Sequence, residues 1–475
     1  MKSNKTRAIS PLVIQCFVTT GVSLNMSGLG LGTGFTTGLL PQLRQPDSDI
    51  RIDDTSASWI ASLPGISIVL GNLIISAIMS RFGRRKANLC SLLVSATGWL
   101  CIMLSNSVTI LYLARLIQGI GMGMIGALGP ILIGEYTSPK NRGIFLMTIS
   151  LSFSIGVLAS QTMVVYLHWK TCAALCIGIV SVATLIVLLS PESPTFLADK
   201  ERYDECRKTF VYLRGDLENE ELEKMIATRM KAKEEQIEDK AMSVKETLVA
   251  KMSYLTQAFK KKEVYKPILI MFHVFAMGQW CGVNIMTSFT SNLFEKVVGL
   301  DAGISIPLMI VLVGLHRVLG NIVGMVFIKT LRRRVVLFTT ISLNVVALFA
   351  IAAYTYARDN NYLPFDEPAV GIILVHIHMF SVATGAIPLA FVLAGELFPM
   401  EYKSLCGGFG MVFYSLGLFM NMKTVLLLFN NWGISGTYCL YAGIVLYCLV
   451  VVGVLLPETK DKTLLEIEEG FRRKK

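Results

Sequence analysis

Residues 59–86 read WIASLPGISIVLGNLIISAIMSRFGRRK. Trp59 to Met79 hold no charged side chain, whereas Ser80 to Lys86 put four cations on seven residues. A hydrocarbon core about 30 Å thick is crossed by roughly 20 apolar residues of helix. The run therefore reads as a membrane span, and the basic knot as its stop at one surface. A related knot, KTLRRRVV (Lys329–Val336), closes another apolar run far downstream.

The rest of the chain fits this reading. Of its 475 residues 53% are hydrophobic without counting Gly, and only 16% are charged. Soluble domains run at about 45–50% apolar with Gly included and about 25% charged. Twelve stretches qualify as spans, at about 12–40, 58–80, 88–106, 109–135, 143–167, 171–190, 267–291, 304–328, 335–357, 369–397, 405–429 and 434–456. The expected fold is an all-α polytopic membrane protein of two six-helix bundles. The N-terminal bundle takes residues 1–190, an amphipathic helical linker 191–266, the C-terminal bundle 267–456 and a tail 457–475. The linker centres on ENEELEKMIATRMKAKEEQIEDK (Glu218–Lys240).

The net charge of +11 raises the question of a nucleic-acid partner. Position answers it: Lys and Arg gather at span ends and in the linker, the pattern of a protein that keeps basic loops in the cytoplasm. Both termini are expected there. The ten cysteines form no C-x-x-C pair and most lie inside apolar runs, so neither disulfides nor a metal site is expected. No G-x-x-x-x-G-K-[ST] loop is present, which argues against a primary pump, and no enzyme or cofactor chemistry is read. GIGMGMIG (119–126) contains G-x-G-x-x-G without a preceding strand and reads as close helix packing.

The two halves echo each other. FGRRK (82–86) is answered by LRRRV (331–335), Glu135 and Arg142 by Glu396 and Lys403, and PESPTFL (191–197) by PETKDKTL (457–464). Transporters place substrate paths between such repeats. These pieces, with Arg115, Gly119, Gly121 and Gly123 in R-x-x-x-G-x-G-x-G, resemble the sugar porter family of the major facilitator superfamily over nearly the whole chain. The SWIASL entry to the second span is similar to insect facilitated trehalose transporters.

The resemblance implies the major facilitator fold in a multi-pass protein of the plasma membrane. It implies facilitative transport of a hexose or a trehalose-like disaccharide by alternating access. It also implies a cytoplasmic gate of Arg84, Arg85, Glu135, Arg142, Arg333 and Glu396, pairing across the bundles when the inner side shuts. Gln161, Gln279 and Asn284 fall at sugar-contacting positions, where amides donate to and accept from hydroxyls; helix–helix glue is the plainer use of each. Phe391 holds a position usually taken by Trp, and Ser150, Gly278, Ser288, Phe289 and Ser415 replace other expected contacts. Proton-coupled members carry an Asp in span one near the span-four Arg; here GFTTG (34–38) puts Thr36 at the Asp position while Arg115 remains, so no coupling through that pair is expected.

Arg317, mid-way along span eight where the family commonly has Asn, either makes an anion-friendly pathway or bonds carbonyls of an interrupted helix. Lys423 is expected to snorkel outward. A uniporter of an organic anion and a non-transporting sensor or scaffold are the alternatives. Lipid and a small solute are the partners read; oligomeric state is not legible.

Overall fold

The computed structural model describes residues 10–215, 218–238, 259–297, 305–363, 368–399, 402–460, 462 and 464–473. The linker expectation for 239–258 lies outside them, as does the Lys403 side chain.

The N-terminal half contains six spans. Span one is Pro11–Gly34 continued at a slight bend by Thr36–Leu43; spans two to six are Asp54–Phe82, Arg84–Met103, Val108–Tyr136, Pro139–Tyr166 and Trp169–Leu189. Their starts follow capping chemistry. Asp53 accepts from Ser56 N at 2.8 Å, and Pro11 and Pro139 stand in first turns, where a missing N–H costs nothing. Short helices Pro194–Asp199, Tyr203–Arg214 and Asn219–Glu238 then lie along the face that carries the chain ends, called here the terminal face. Gln15 donates to Leu213 O at 3.0 Å and Arg214 to Glu135 O at 3.0 Å, pinning the linker to the first bundle.

Spans eight to ten are Ile306–Thr330, Arg333–Asp359 and Pro368–Leu397. The last long helical run, Lys403–Leu455, has 53 residues. At 1.5 Å per residue a straight helix of that length would far exceed a bilayer. It breaks at Gly433 (φ 66°, ψ −175°), which divides it into spans eleven and twelve.

Span seven is discontinuous: Lys262–Trp280, Val283–Ser288 and Thr290–Val297. Gly282 takes the left-handed region (φ 85°), and the freed Cys281 carbonyl accepts from His378 Nε2 at 2.7 Å and Asn344 Nδ2 at 3.2 Å. A carbonyl only accepts, so Nε2 carries the proton. Span ten widens into a π-helical segment over Val382–Ala386 beside this break. Irregular backbone at bilayer depth is tolerated only where protein or a wet cavity covers it.

Glycine sets how closely the spans approach. A Cβ on Gly119 would sit 2.6 Å from Pro64 Cα, and one on Gly123 2.9 Å from Ile68 Cα, so the Gly-rich segment is helix packing against span two. Between the bundles, spans two and eleven meet at Gly65, whose missing Cβ would lie 2.7 Å from Phe419 N. Spans five and eight form the other seam, where Ser150 donates to Asn321 at 2.8 Å and Asn321 donates to Ser154.

Candidate functional site

At the terminal face the same device occurs twice. Glu192, from PESP, accepts from the backbone N–H groups of Arg84 (2.9 Å), Arg85 (3.0 Å) and Ser193 (2.8 Å). The first two are orphan donors at the start of span three. Glu458, from PETK, accepts from Arg333 N (2.9 Å), Arg334 N (3.2 Å), Thr459 N (3.1 Å) and Lys460 N (3.0 Å) at the start of span nine. The Arg84 side chain grips Glu135 through Nε and Nη2 at 3.0–3.2 Å, and Arg333 grips Glu396 at 3.0 and 3.3 Å. Ser193 donates to Glu135, and Thr459 donates to Glu396 at 2.6 Å. Arg85 reaches Leu188 O, and Arg334 reaches Leu456 O and Gly453 O.

Each of these pairs lies within its own bundle, not across the seam. Asp199 of the linker adds a second acid to Arg84 at 3.7 Å and takes Arg229 at 3.2 Å. Arg142 stands apart from the Arg84–Glu135 pair; its Nε has no hydrogen-bond partner among the described residues. Burial pulls the Glu458 carboxyl upward, but its four backbone donors outweigh this and hold it below the ordinary 4.5.

Besides the mid-span Ser150–Asn321–Ser154 contact, the bonds across the seam are in the opposite half. Thr37 donates to Thr287 O, Gln161 Nε2 to Thr287 O at 3.3 Å and, within its own bundle, to Thr37 Oγ1 at 3.1 Å, and Ser291 donates to Thr37 O at 3.4 Å. Nearer the far surface, Asn430 donates to Asp54 at 2.8 Å. Lys423 does not snorkel outward: Nζ donates to Ser58 at 2.8 Å and lies 3.7 Å from the Trp59 ring centroid. Among the described residues, the far side is where the bundles are latched.

Gln279 and Asn284 are brought together at the span-seven break. Asn284 Nδ2 donates to Gln279 Oε1 at 3.0 Å and to Asn421 Oδ1 at 3.0 Å, and Asn421 donates to Tyr441 OH at 3.0 Å. Gln161 sits on the facing bundle. Phe391 is half exposed and packs on Tyr414 with centroids 6.1 Å apart. Of the five expected pathway residues, Gln279 and Asn284 are thus joined in an amide cluster, Gln161 and Arg317 meet at Thr287, and Phe391 packs on Tyr414.

The two buried arginines are held differently. Arg115 donates to Ile60 O (2.9 Å), Gly32 O (3.0 Å), Thr36 Oγ1 (2.8 Å) and Gln118 Oε1, tying spans one, two and four through neutral acceptors only. Arg317, equally buried, donates from Nη2 to Thr287 Oγ1 at 3.0 Å.

Asn421, Tyr441, Tyr414, Asn344, Thr37, Thr287, Trp59, Ser58, Glu192 and Glu458 were not singled out as contacts by sequence. For the two acids a signal was present, since the PE dipeptide recurs at equivalent places in both halves. For the others none was: isolated amides and hydroxyls in apolar runs do not announce which helix they face.

Comparison with known proteins fits this architecture. The sugar (and other) transporter family profile matches residues 16–471. The chain is 25% identical over 464 residues to the facilitated trehalose transporter Tret1 of Apis mellifera ligustica, covering 96% of this chain and 88% of that one. It is 23% identical over 478 residues to the mouse solute carrier family 2, facilitated glucose transporter member 8, covering 94% and 92%. Its fold superposes on the proton:xylose symporter XylE bound to 6-bromo-6-deoxy-D-glucose with TM-score 0.74, 14% identity and coverage of 97% and 100%. With the duplicated terminal-face device and the profile running almost end to end, the chain belongs to the sugar porter family of the major facilitator superfamily, as a multi-pass membrane transporter with twelve spans in two bundles.

Proposed function

We propose that the protein is a uniporter for a neutral sugar, a hexose or a trehalose-like disaccharide, moving it down its gradient by alternating access. Its working place is the plasma membrane, with the terminal face in the cytoplasm, as the basic loops favour. Gln161, Gln279, Asn284 and Phe391 contact the sugar, and the Arg84–Glu135 and Arg333–Glu396 clusters with Arg85 and Arg142 form the cytoplasmic gate. An uncharged polyol needs side chains that both donate and accept, with an apolar face for ring C–H groups. The Gln279–Asn284–Asn421 cluster and the Phe391–Tyr414 rim supply both.

One observation carries the uniport reading. Arg115 spends its N–H groups on backbone carbonyls, a hydroxyl and an amide, with no carboxylate among the described residues bonded to it to take and release a proton. The experiment is uptake of labelled glucose and trehalose into sealed vesicles. The expected result is saturable equilibration, unchanged by an acid-outside gradient, and about tenfold slower after Asn284→Ala at equal surface expression. Uphill accumulation driven by the proton gradient defeats the uniport reading, and absence of saturable flux of any sugar defeats the transport reading.

A further inference from the structure

The chain contains its own standard for how a buried arginine is satisfied. Arg115 is 2% exposed and Arg317 is 1% exposed. Arg115 directs Nε, Nη1 and Nη2 at four acceptors on three elements. Arg317 uses Nη2 alone, and its Nε and Nη1 have no hydrogen-bond partner among the described residues. Among the described residues no acidic side chain pairs with it. A buried cation with two idle donors is expensive unless it is paired. The helix could have kept the uncharged alternative, since Asn321 on the same face satisfies itself against Ser150 and Ser154.

Position adds to this. Gly314, Arg317 and Asn321 follow one another at helical spacing along the face of span eight that meets span five. A Cβ on Gly314 would lie 3.6 Å from Gln161 Oε1, so the guanidinium stands one turn from the Gln that bridges the bundles. Its single bond goes to Thr287, whose carbonyl accepts from Thr37 and Gln161 of the opposite bundle. The idle donors therefore belong to the seam that opens and closes, beside the amide cluster of span seven.

We propose that Arg317 is a binding site for one monovalent anion in the seam between the two bundles, gripped at the Nη1 end of the guanidinium. Two sources share that chemistry: the carboxylate of a sugar acid, which makes the carried solute a uronate-like polyol, and free chloride. The first deepens the sugar-transport reading and rests on it; the second does not. Nε and Nη1 lie on different edges of the guanidinium, so one anion takes the Nη1 end: a carboxylate bridges Nη1 and the remaining Nη2 hydrogen as a fork, whereas a halide is held as a point charge.

The test is thermal unfolding of the purified full chain in detergent, in chloride-free buffer. It is titrated with sodium D-glucuronate against D-glucose, and with sodium chloride against sodium sulfate at matched ionic strength. A saturable rise of about 2–4 °C with glucuronate beyond that with glucose assigns the site to a carboxylate. The same rise with chloride but not sulfate assigns it to the inorganic ion. In either case Arg317→Gln weakens the apparent affinity about tenfold or more. Should that variant fail to fold, Arg317→Lys keeps the charge without the fork, and it weakens glucuronate more than chloride. No shift with either anion in the wild-type protein overturns the proposal, as does a shift that survives Arg317→Gln. Labelled glucose uptake in vesicles is scored separately, so failure of neutral-sugar transport is distinguishable from failure of the anion site.

Discussion

Lys423 of span eleven stands over the indole of Trp59 in span two, Nζ 3.7 Å from the ring centroid, and donates to the neighbouring Ser58. The two residues belong to different bundles. The contact can persist only while the far half of that seam is shut. A cation over Trp contributes about 0.5–2 kcal/mol depending on its desolvation.

Lys423→Gln is therefore expected to release the far-side latch without unfolding the protein. A loss of that size shifts the balance between conformers by about twofold to thirtyfold. The check is labelling of an introduced cysteine at Thr37 by a membrane-impermeant thiol reagent added from the far side. Labelling should speed up in the Lys423→Gln background and also in Trp59→Leu. Equal rates in all backgrounds remove Lys423 from the latch.

The ion pairs of the terminal face should be energetically alike in the two halves. Arg84–Glu135 and Arg333–Glu396 share the 3.0 Å bond, the hydroxyl donor and the backbone cap. Side-chain exposures are 14% and 14% in the first pair, 16% and 24% in the second. Double-mutant cycles of Arg→Gln against Glu→Gln should give coupling energies of about 1–2 kcal/mol, above an exposed pair and slightly lower for the second. Because neither pair crosses the seam while the far side is latched, all four single variants should lower the unfolding temperature of this conformer. A variant with an unchanged unfolding temperature contradicts this.

Acid should undo the second cap. The Glu458 carboxyl is held below 4.5 by backbone N–H donors, so its contribution is complete above the unfolded value and disappears as pH falls through the lower folded one. Unfolding temperature should drop below about pH 4.5. Glu458→Gln, already uncharged, should be less stable at neutral pH and should lack this part of the acid dependence. The loss at neutral pH is about 1 kcal/mol, the usual scale of a helix cap. An unchanged acid limb in the variant defeats the assignment.

Gly282→Ala should weaken span seven for two separable reasons. An alanine at φ 85° is strained, and its Cβ would come 2.6 Å from His378 Nε2. The strain costs about 1–2 kcal/mol; the collision adds to it. Combining Gly282→Ala with His378→Ala should relieve the second cost and leave the first. In calorimetry the double variant should therefore be less destabilised than the sum of the singles.

Much of this architecture can be read from residues alone, and the boundary is physical. Spans are legible because hydrocarbon demands long uncharged helices. The duplicated RR, Glu and PE elements are legible because they recur at equivalent positions. Span seven is harder: its apolar run looks continuous, and the break at Gly282 exists because His378 and Asn344, both distant in sequence, take up the Cys281 carbonyl. Lys423 misleads for the same reason. A lone cation near a helix end looks like an interfacial anchor until the neighbouring bundle supplies Trp59. Gln279 and Asn284 were placed by motif, but that they bond each other and Asn421 depends on packing that no local pattern encodes. The repeated elements can be read off; the partners they take on other helices cannot.

The carboxylates of the two PE dipeptides have a mechanical consequence. Each sits just past the last helix of its half and grips the beginning of that half's third helix, so every bundle is buckled like a belt around its own waist. Torque applied to one helix is then shared by five others. Such halves turn as solid levers, and the strain of turning collects in the two pliant places left to them, the interrupted seventh helix and the widened tenth.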